Sequence, residues 1–276
     1  MNKLVTIVAL CYNQSKYLVE SLESIKNQTI KGFDFHIIDD CSTDNSMALI
    51  EQWIKDSGLQ ITLHAHEKNQ GITKSMNHAL SLCNTKYFQP WPCDDNMKPD
   101  KLESQIAYLE SLDWTPGFLY GDCEWIDENG KVFRDSVLEE RRKVFKGGKM
   151  PEGNLFLPLL KYGCFIPTAS GIYVTAPLKE KGGFDENLWA EDWDMFMSLS
   201  FTNGIAFKDG VVSQYRRHSQ SAEVAKGDRY WEGHFKILQK YLKTKPNYKK
   251  QIWTNIYRAA LKAHADGFKD APQWIR

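Results

Sequence analysis

The first hundred residues alternate between two hydrophobic periods. The run "LVTIVAL" (residues 4–10) is apolar except for one threonine and rich in β-branched residues, which predicts a strand covered on both faces. The next segment, "SKYLVESLESIKNQ", places Leu18, Leu22 and Ile25 on one helical face. The same strand–helix pairing then repeats. The alternation predicts an α/β fold whose strands are parallel and joined by right-handed crossovers.

The later elements of this pattern have equally clear signals. Strands are predicted for "FDFHIID" (33–39), "LQITLHAHE" (59–67) and "KYFQPW" (86–91). Helices are predicted for "NSMALIEQWIKDSG" and "GITKSMNHALSLCN", and Ser42 and Asp44 lie where the N-cap of the first would be. Parallel sheets of this kind bind ligands in the crevice beyond the carboxyl ends of their strands.

Polar side chains follow each of the four predicted strands: Tyr12 and Asn13, Asp39 and Asp40, residues 69–71, and Asp94 and Asp95. Adjacent carboxylates repel each other, and a bound cation or a solvated turn that caps the next helix would compensate them. Either alternative fits the Asp94–Asp95 pair taken alone. The convergence of four polar strand ends favours a ligand site. His64 and His66 share one face of a strand, and a metal pair there is the weaker interpretation.

Composition is typical of a soluble globular protein. The 276 residues are 42% hydrophobic and 25% charged, and no apolar run approaches the roughly 18 residues of a membrane span. The N-terminus is better explained as a first buried strand than as a signal peptide. The six cysteines are scattered without a CxxC pair, which favours free thiols in a reducing cytoplasm.

The net charge of zero is unevenly distributed along the chain. Residues 226–276 hold twelve Lys and Arg against four Asp and Glu, so the rest of the chain is acidic. No basic stripe in that body suggests a nucleic-acid partner. In the segment "KKQIWTNIYRAALKAHADG", the residues Ile252, Ile256, Ala260, Trp253, Tyr257 and Leu261 form an apolar stripe. It could pack on the body of the protein or face a membrane.

Six segments together resemble the family-two nucleotide-sugar glycosyltransferases of the GT-A fold. They are "VTIVALCYN", "IIDDCSTDNS", "NQGITKSMN", "PCDDNMKPDKL", "GGFDENLWAEDWDMFMSL" and "YRRH", in the order and spacing of that family. The resemblance implies a mixed, mostly parallel sheet flanked by helices. It also implies a glycosyltransferase domain over residues 1–220, with a nucleotide-binding half (1–98) and an acceptor-binding half (99–220). Residues 221–276 would form a helical C-terminal extension.

The resemblance assigns the nucleotide-binding residues. Leu10, Tyr12 and Asn13 match the segment whose backbone borders the nucleobase, although Leu10 and Cys11 replace the family's common Pro and Thr. Asp40 matches a carboxylate that accepts a hydrogen bond from the base, which suits the N3–H group of uracil or thymine and favours uridine. Gly71 permits a close backbone approach. Lys74 could reach the diphosphate, or it could be a solvated helix lysine.

The same resemblance assigns Asp94 and Asp95 to the metal motif. A carboxylate usually precedes this pair by two positions, but Pro92 occupies that place here. Asp94 would contact ribose or metal, Asp95 the metal, and His218 the metal or the diphosphate. The expected cofactor is Mn²⁺ or Mg²⁺, which takes oxygen ligands from carboxylates, phosphate and water.

In the second half, Asp192 matches the general base of an inverting sugar transfer. Glu191 and Trp193 would shape the acceptor site. An acidic helix N-terminus also occurs for purely structural reasons, because the helix dipole favours negative charge there. The implied partners are a nucleotide sugar, preferably a UDP-sugar, and a glycan or lipid-linked glycan acceptor of bacterial cell-surface polysaccharide or lipopolysaccharide synthesis. The implied location is the cytoplasm, with peripheral membrane contact through the basic tail as a further expectation.

Two other classes of protein are alternatives to this assignment. A dinucleotide-dependent oxidoreductase would need a glycine-rich turn after the first strand, and "ALCYNQS" contains no glycine. A catalytically silent nucleotide- or carbohydrate-binding module of the same fold stays open, although the retained Asp192 argues against it.

Overall fold

A single sheet joins both halves of the protein. The computed structural model describes residues 3–188, 191–219, 221, 228–268 and 274. Nine strands in these residues form the sheet, in the order β3-β2-β1-β4-β8-β6-β9-β5 with β7 beside β6. The strands are β1 (Val5–Cys11), β2 (Asp34–Asp39), β3 (Thr62–Ala65), β4 (Tyr87–Pro92), β5 (Asn96–Met97), β6 (Phe118–Ile126), β7 (Val132–Arg134), β8 (Gly171–Val174) and β9 (Ile205–Arg216).

The predicted alternation of strands and helices is confirmed in the first half. Strands β1 to β4 pair in parallel. The helices between them are α1 (Leu18–Lys26), α2 (Ser46–Ser57) and α3 (Ile72–Leu82). All seven residues of β1 are buried, because helices cover both faces of the central sheet.

The second half adds antiparallel pairs to the sheet. β8 runs antiparallel to both β4 and β6, and β5 runs antiparallel to β9. β9 is parallel to β6 over most of its length, with two register shifts. The sheet is therefore mixed, as the GT-A resemblance implies. The remaining helices are α4 (Lys101–Ser111), α5 (Glu139–Arg142), α6 (Phe156–Tyr162), α7 (Thr175–Glu180), α8 (Glu191–Thr202), α9 (Asp228–Thr244) and α10 (Lys249–Ala265).

Two hydrophobic clusters lie on the faces of the sheet. One contains the faces of α1, α2 and α4 that meet β1 and β2, with Leu22, Ile50 and Leu102 fully buried. The other contains α3, α6 and α8 together with the C-terminal helices α9 and α10. The C-terminal helices α9 and α10 therefore share a core with α3, α6 and α8. No helix in the described ranges is long and apolar enough to cross a membrane.

The apolar stripe predicted on α10 divides into two faces. Ile252, Ile256 and Ala260 are buried against the body. Trp253, Tyr257 and Leu261, one position further along, are exposed. A helix advances 100° per residue, so residues shifted by one position no longer share the buried face.

Candidate active site

The carboxyl ends of three neighbouring strands, β1, β2 and β4, lie at one edge of the sheet. Cys11 of β1 lies opposite Asp39 of β2, and Leu10 lies opposite Pro92 of β4. Because these strands are parallel, the polar residues that follow them leave the sheet on the same side. Open α/β sheets bind ligands in the crevice at this edge. The polar residues after β1, β2 and β4 therefore lie close together, as the sequence predicts.

Hydrogen bonds hold the loops after β1 and β2 together. The Asn13 side-chain oxygen accepts from the Thr43 amide at 2.7 Å, and the Asn13 amide donates to Ser42 Oγ at 2.9 Å. Asp44 accepts from the amides of Ser15 and Ser46. Partial burial raises the pKa of Asp44, but the hydrogen bonds from Ser46 and Ser15 outweigh it and lower this pKa to about 2. The crevice is thus bordered by a fixed backbone.

Asp40 connects the second strand to the loop before α3. Its carboxylate accepts from His66 Nδ1 at 2.7 Å and from the amides of Gln70 and Gly71, both at 2.8 Å. Burial raises the pKa of Asp40, but these three donors have the larger combined effect and lower it. A carboxylate has about four lone-pair sites, so the donors use most of its capacity. Its predicted bond to a nucleobase stays a prediction.

The other residues predicted to bind the nucleotide sugar differ in exposure. Leu10 is buried, and its carbonyl accepts from the Cys93 amide at 3.1 Å, which ties β1 to the metal motif. Tyr12 is 45% exposed at the crevice edge. Gly71 has a φ of 85°, a left-handed conformation that only glycine adopts without strain, and an added Cβ would meet open space. Lys74 is exposed in the first turn of α3.

Asp94 and Asp95 have different surroundings despite being adjacent. Asp94 Oδ2 lies 3.1 Å from His218 Nε2, and the Asp94 side chain is 19% exposed. Asp95 is 1% exposed, and its Oδ1 accepts from the Arg216 amide at 2.8 Å. Asp95 is therefore buried against β9, and the His218 side chain, at 2% exposed, is buried as well. Asp94 is the more exposed of the two carboxylates, and the contact of both with a metal stays a prediction.

Arg216 is a buried residue of this site that sequence reasoning missed. Its guanidinium donates to the Asp94 carbonyl, the Asp127 carbonyl and the Glu20 carboxylate, at 2.9, 3.1 and 2.7 Å. It is 1% exposed and lies over the Tyr17 ring. Arg216 therefore fixes the backbone at Asp94, in the segment predicted to bind a metal. The segment "YRRH" contained the signal, but only its histidine was singled out.

Asp192 is the second residue of helix α8 and lies next to the segment that precedes β8. Its Oδ2 accepts from Thr168 Oγ1 at 3.0 Å, and its Oδ1 accepts from the Trp193 amide at 2.6 Å. These two donors orient the carboxylate. Thr168 was not predicted, because its partner lies 24 residues away and no local pattern marks it.

Glu191 is the neighbouring carboxyl group at the start of α8. Burial raises its pKa, the Asp192 charge raises it further, and the result is a pKa of about 8. Burial and the Asp192 charge therefore favour the protonated form of Glu191. The two neighbouring carboxyl groups thus differ, because Asp192 accepts hydrogen bonds from Thr168 and the Trp193 amide.

The ring of Trp193, a residue predicted to shape the acceptor site, is enclosed by the protein. The ring is 3% exposed, its Nε1 donates to the Leu159 carbonyl at 3.2 Å, and it stacks on His234 at 4.4 Å. An indole enclosed in this way cannot offer a face to a ligand. Trp193 joins α8 to α6 and α9.

The residues present suit a divalent cation only in part. In the described residues, no group of three or more His, Cys, Asp and Glu side chains is placed to hold a metal ion. Asp94 and His218 supply one oxygen and one nitrogen donor, a set that Mn²⁺ accepts. The diphosphate of a donor and water would complete the six ligands, as is usual for cations bound together with phosphate.

Comparison with known proteins gives the class of this chain. The family described as "Glycosyl transferase family 2" matches residues 6–143, which is half of the chain. The chain therefore belongs to glycosyl transferase family 2, and its fold is the GT-A fold that the sequence predicts.

Individual relatives are more distant. An uncharacterised glycosyltransferase of Rickettsia felis is 28% identical over 225 residues, covering 79% of this chain and 35% of its own length. The chain thus spans about a third of that relative.

Two solved structures resemble the fold. The structure of S. aureus TarS 1–349 in complex with UDP has a TM-score of 0.68 at 20% identity and covers 98% of this chain and 78% of its own. The mannosyltransferase PcManGT from Pyrobaculum calidifontis, in complex with GDP-Man and Mn²⁺, has a TM-score of 0.65 at 17% identity. It covers 99% of this chain and 78% of its own. At these identities the likeness establishes the fold alone.

Proposed function

We propose that the protein transfers a sugar from a nucleotide sugar, by preference a UDP-sugar, to a hydroxyl group of a glycan with inversion at the anomeric carbon. The observation that carries this proposal is the meeting of Asp94 and His218, 3.1 Å apart, at the carboxyl edge of the sheet in a family 2 chain. The crevice there has a fixed backbone border and one exposed aromatic side chain, Tyr12.

The donor lies in the first half in this proposal, with residues 1–98 as its nucleotide-binding part. Tyr12 and the backbone of Leu10 and Asn13 border the base, and Asp40 accepts from uracil N3–H through its remaining lone pair. Gly71 and Lys74 lie at the start of α3, where the helix dipole and an exposed ammonium group favour a diphosphate. The likeness to a UDP-bound fold is compatible with uridine, but the GDP-Man complex of a second neighbour makes the base the first point to test.

Asp94, Asp95 and His218 would hold Mn²⁺ or Mg²⁺ against the diphosphate. A cation held there supplies Lewis-acid stabilisation of the departing nucleoside diphosphate. The Mn²⁺ in the structure of PcManGT supports this choice of cofactor. Arg216 fixes the positions of Asp94 and His218 relative to each other, because it contacts the backbone of Asp94 and lies two residues before His218.

Asp192 is the proposed general base, in the acceptor-binding part over residues 99–220. As the acceptor oxygen attacks the anomeric carbon, its proton moves to the Asp192 carboxylate and the bond from that carbon to the diphosphate breaks. Thr168 Oγ1 and the Trp193 amide hold the carboxylate for this step. A protonated Glu191 can donate a hydrogen bond to the acceptor.

The acceptor class follows from the family resemblance. We propose a glycan or lipid-linked glycan of bacterial cell-surface polysaccharide or lipopolysaccharide. The test of the whole proposal is a screen of UDP-, GDP- and TDP-sugars by thermal shift with Mn²⁺, followed by release of nucleoside diphosphate from the sugar that stabilises the fold. Stabilisation by a UDP-sugar and slow, Asp192-dependent hydrolysis are expected. Stabilisation without any turnover would favour the silent binding module.

A further inference from the structure

The exposed face of α10 is the strongest feature that the sugar-transfer site does not use. Trp253, Tyr257 and Leu261 are 39%, 54% and 54% exposed, and they follow one another at a spacing of four residues. Four-residue spacing places them along one side of the helix as a continuous apolar ridge. We call Trp253, Tyr257 and Leu261 the α10 ridge.

The helix itself is firmly attached to the protein. Ile252, Ile256 and Ala263 are buried on its other side, within the hydrophobic cluster that includes α6 and α9. The α10 ridge is therefore presented by a fixed element with its own packed face. Its exposure follows from the hydrophobic pattern being wider than the surface that α10 packs against.

Positive charge surrounds the ridge. Lys249, Lys250, Arg258 and Lys262 are exposed on α10, and the helix contains no Asp or Glu between Lys249 and Ala265. Lys250 lies three residues before Trp253, and Arg258 and Lys262 each follow a ridge residue directly. An apolar strip with Trp and Tyr, whose Lys and Arg neighbours on α10 face no Asp or Glu of the same helix, has the composition of a helix that lies in the interface of an anionic membrane.

The size of the ridge favours a lipid surface over a second copy of the chain. The exposed parts of its three side chains amount to roughly 300 Å², whereas a stable protein interface buries about 800 Å² on each partner. A lipid interface has no such minimum, because each Trp or Tyr inserts separately and each cation gains from anionic headgroups. We propose that α10 docks the protein on an anionic lipid bilayer, with the α10 ridge inserted and the four basic residues at the headgroups.

This proposal does not depend on sugar transfer, since it is tested without donor or acceptor. The experiment is co-sedimentation of the whole chain with phosphatidylcholine vesicles, with and without about 30% phosphatidylglycerol. Wild-type protein should bind the anionic vesicles and lose most of that binding between about 0.05 M and about 0.5 M salt. The triple variant Trp253→Gln, Tyr257→Gln, Leu261→Gln should partition at least about tenfold less.

Two further variants test the role of the basic residues and the specificity of the effect for α10. Lys250→Gln with Arg258→Gln and Lys262→Gln should remove the preference for phosphatidylglycerol. Phe133→Gln is the matched control, because Phe133 is 56% exposed on β7, outside the helix, and should bind as wild type does. All of these side chains are exposed, so circular dichroism should show folded variants.

The proposal fails if the ridge variant binds anionic vesicles as tightly as wild type does. It also fails if wild-type protein ignores the vesicles and instead sediments as a dimer that the ridge variant dissociates. That second result would make the ridge a contact between two copies.

Discussion

Asp94 Oδ2 lies 3.1 Å from His218 Nε2, and this contact joins two strand ends that are 124 residues apart in the chain. Asp94 follows β4, which belongs to the parallel half, and His218 follows β9, which lies three strands further along the sheet. The site is therefore complete only when both halves of the sheet have formed. The proposed cation site takes Asp94 and His218 from distant segments, so it depends on the tertiary fold.

Removal of either partner should uncouple nucleotide binding from metal. We expect Asp94→Asn and His218→Gln each to weaken UDP binding in the presence of Mn²⁺ by about tenfold or more, because a charged or coordinating ligand is lost. Isothermal titration calorimetry with Mn²⁺ and with chelator measures this. Asp113→Asn removes an exposed carboxylate elsewhere and should change nothing. Equal affinity of wild-type protein with and without chelator would rule out the metal assignment.

Thr168 should act on the chemical step through Asp192. The variant Thr168→Val keeps the side-chain shape but removes the hydroxyl donor that lies 3.0 Å from Asp192 Oδ2. Turnover should fall by roughly tenfold, the value of one charge-assisted hydrogen bond, while donor affinity is unchanged. Thr168→Ser retains the donor and should restore most of the rate. A Ser variant as slow as the Val variant would assign Thr168 a packing role only.

Glu191 should produce a pH dependence near its own pKa. Burial and the adjacent Asp192 raise this pKa to about 8, so Glu191 is protonated at pH 7 and ionises as the pH rises through 8. The rate profile of wild-type protein should therefore bend near pH 8, and Glu191→Gln should remove the bend. At pH 7 this variant should lose less than about tenfold, whereas loss of a general base costs about 10²–10⁴-fold. A larger loss would make Glu191 the base.

The buried His234 should lower the free energy of unfolding as the pH falls. Burial, with a smaller contribution from Lys262, lowers the pKa of His234 from 6.5 to about 4. The unfolded chain therefore binds a proton first as the pH falls below 6.5, and stability is lost between pH 6.5 and about 4. We expect His234 to lower the free energy of unfolding by about 1–2 kcal/mol at pH 5 relative to pH 7. Urea unfolding of wild type and His234→Phe at both values measures it. The Phe ring keeps the stack on Trp193 without a titratable group, and an equal acid loss in both proteins would contradict the assignment.

The sequence predicted those features that local patterns encode. The β–α alternation and the polar strand ends follow from hydrophobic periods and chain order, and the family motifs pointed to Asp94, Asp192 and His218. The sequence did not predict residues whose role depends on a distant partner. Arg216 and Thr168 are examples, because each contacts groups 24 or more residues away. Trp193 was misjudged for the same reason, since only the packing of α9 shows that its ring is enclosed. Helical periodicity likewise could not show which part of the α10 stripe would be buried.

The central claim, that Asp192 is the base of a sugar transfer, is tested most directly by one paired measurement. Release of nucleoside diphosphate from the preferred nucleotide sugar and calorimetric donor binding are measured for wild type, Asp192→Asn and Glu191→Gln. We predict a loss of about 10²–10⁴-fold in turnover for Asp192→Asn, with donor affinity retained and a much smaller loss for Glu191→Gln. Turnover of Asp192→Asn at the wild-type rate, with the donor bound equally well, would contradict the account.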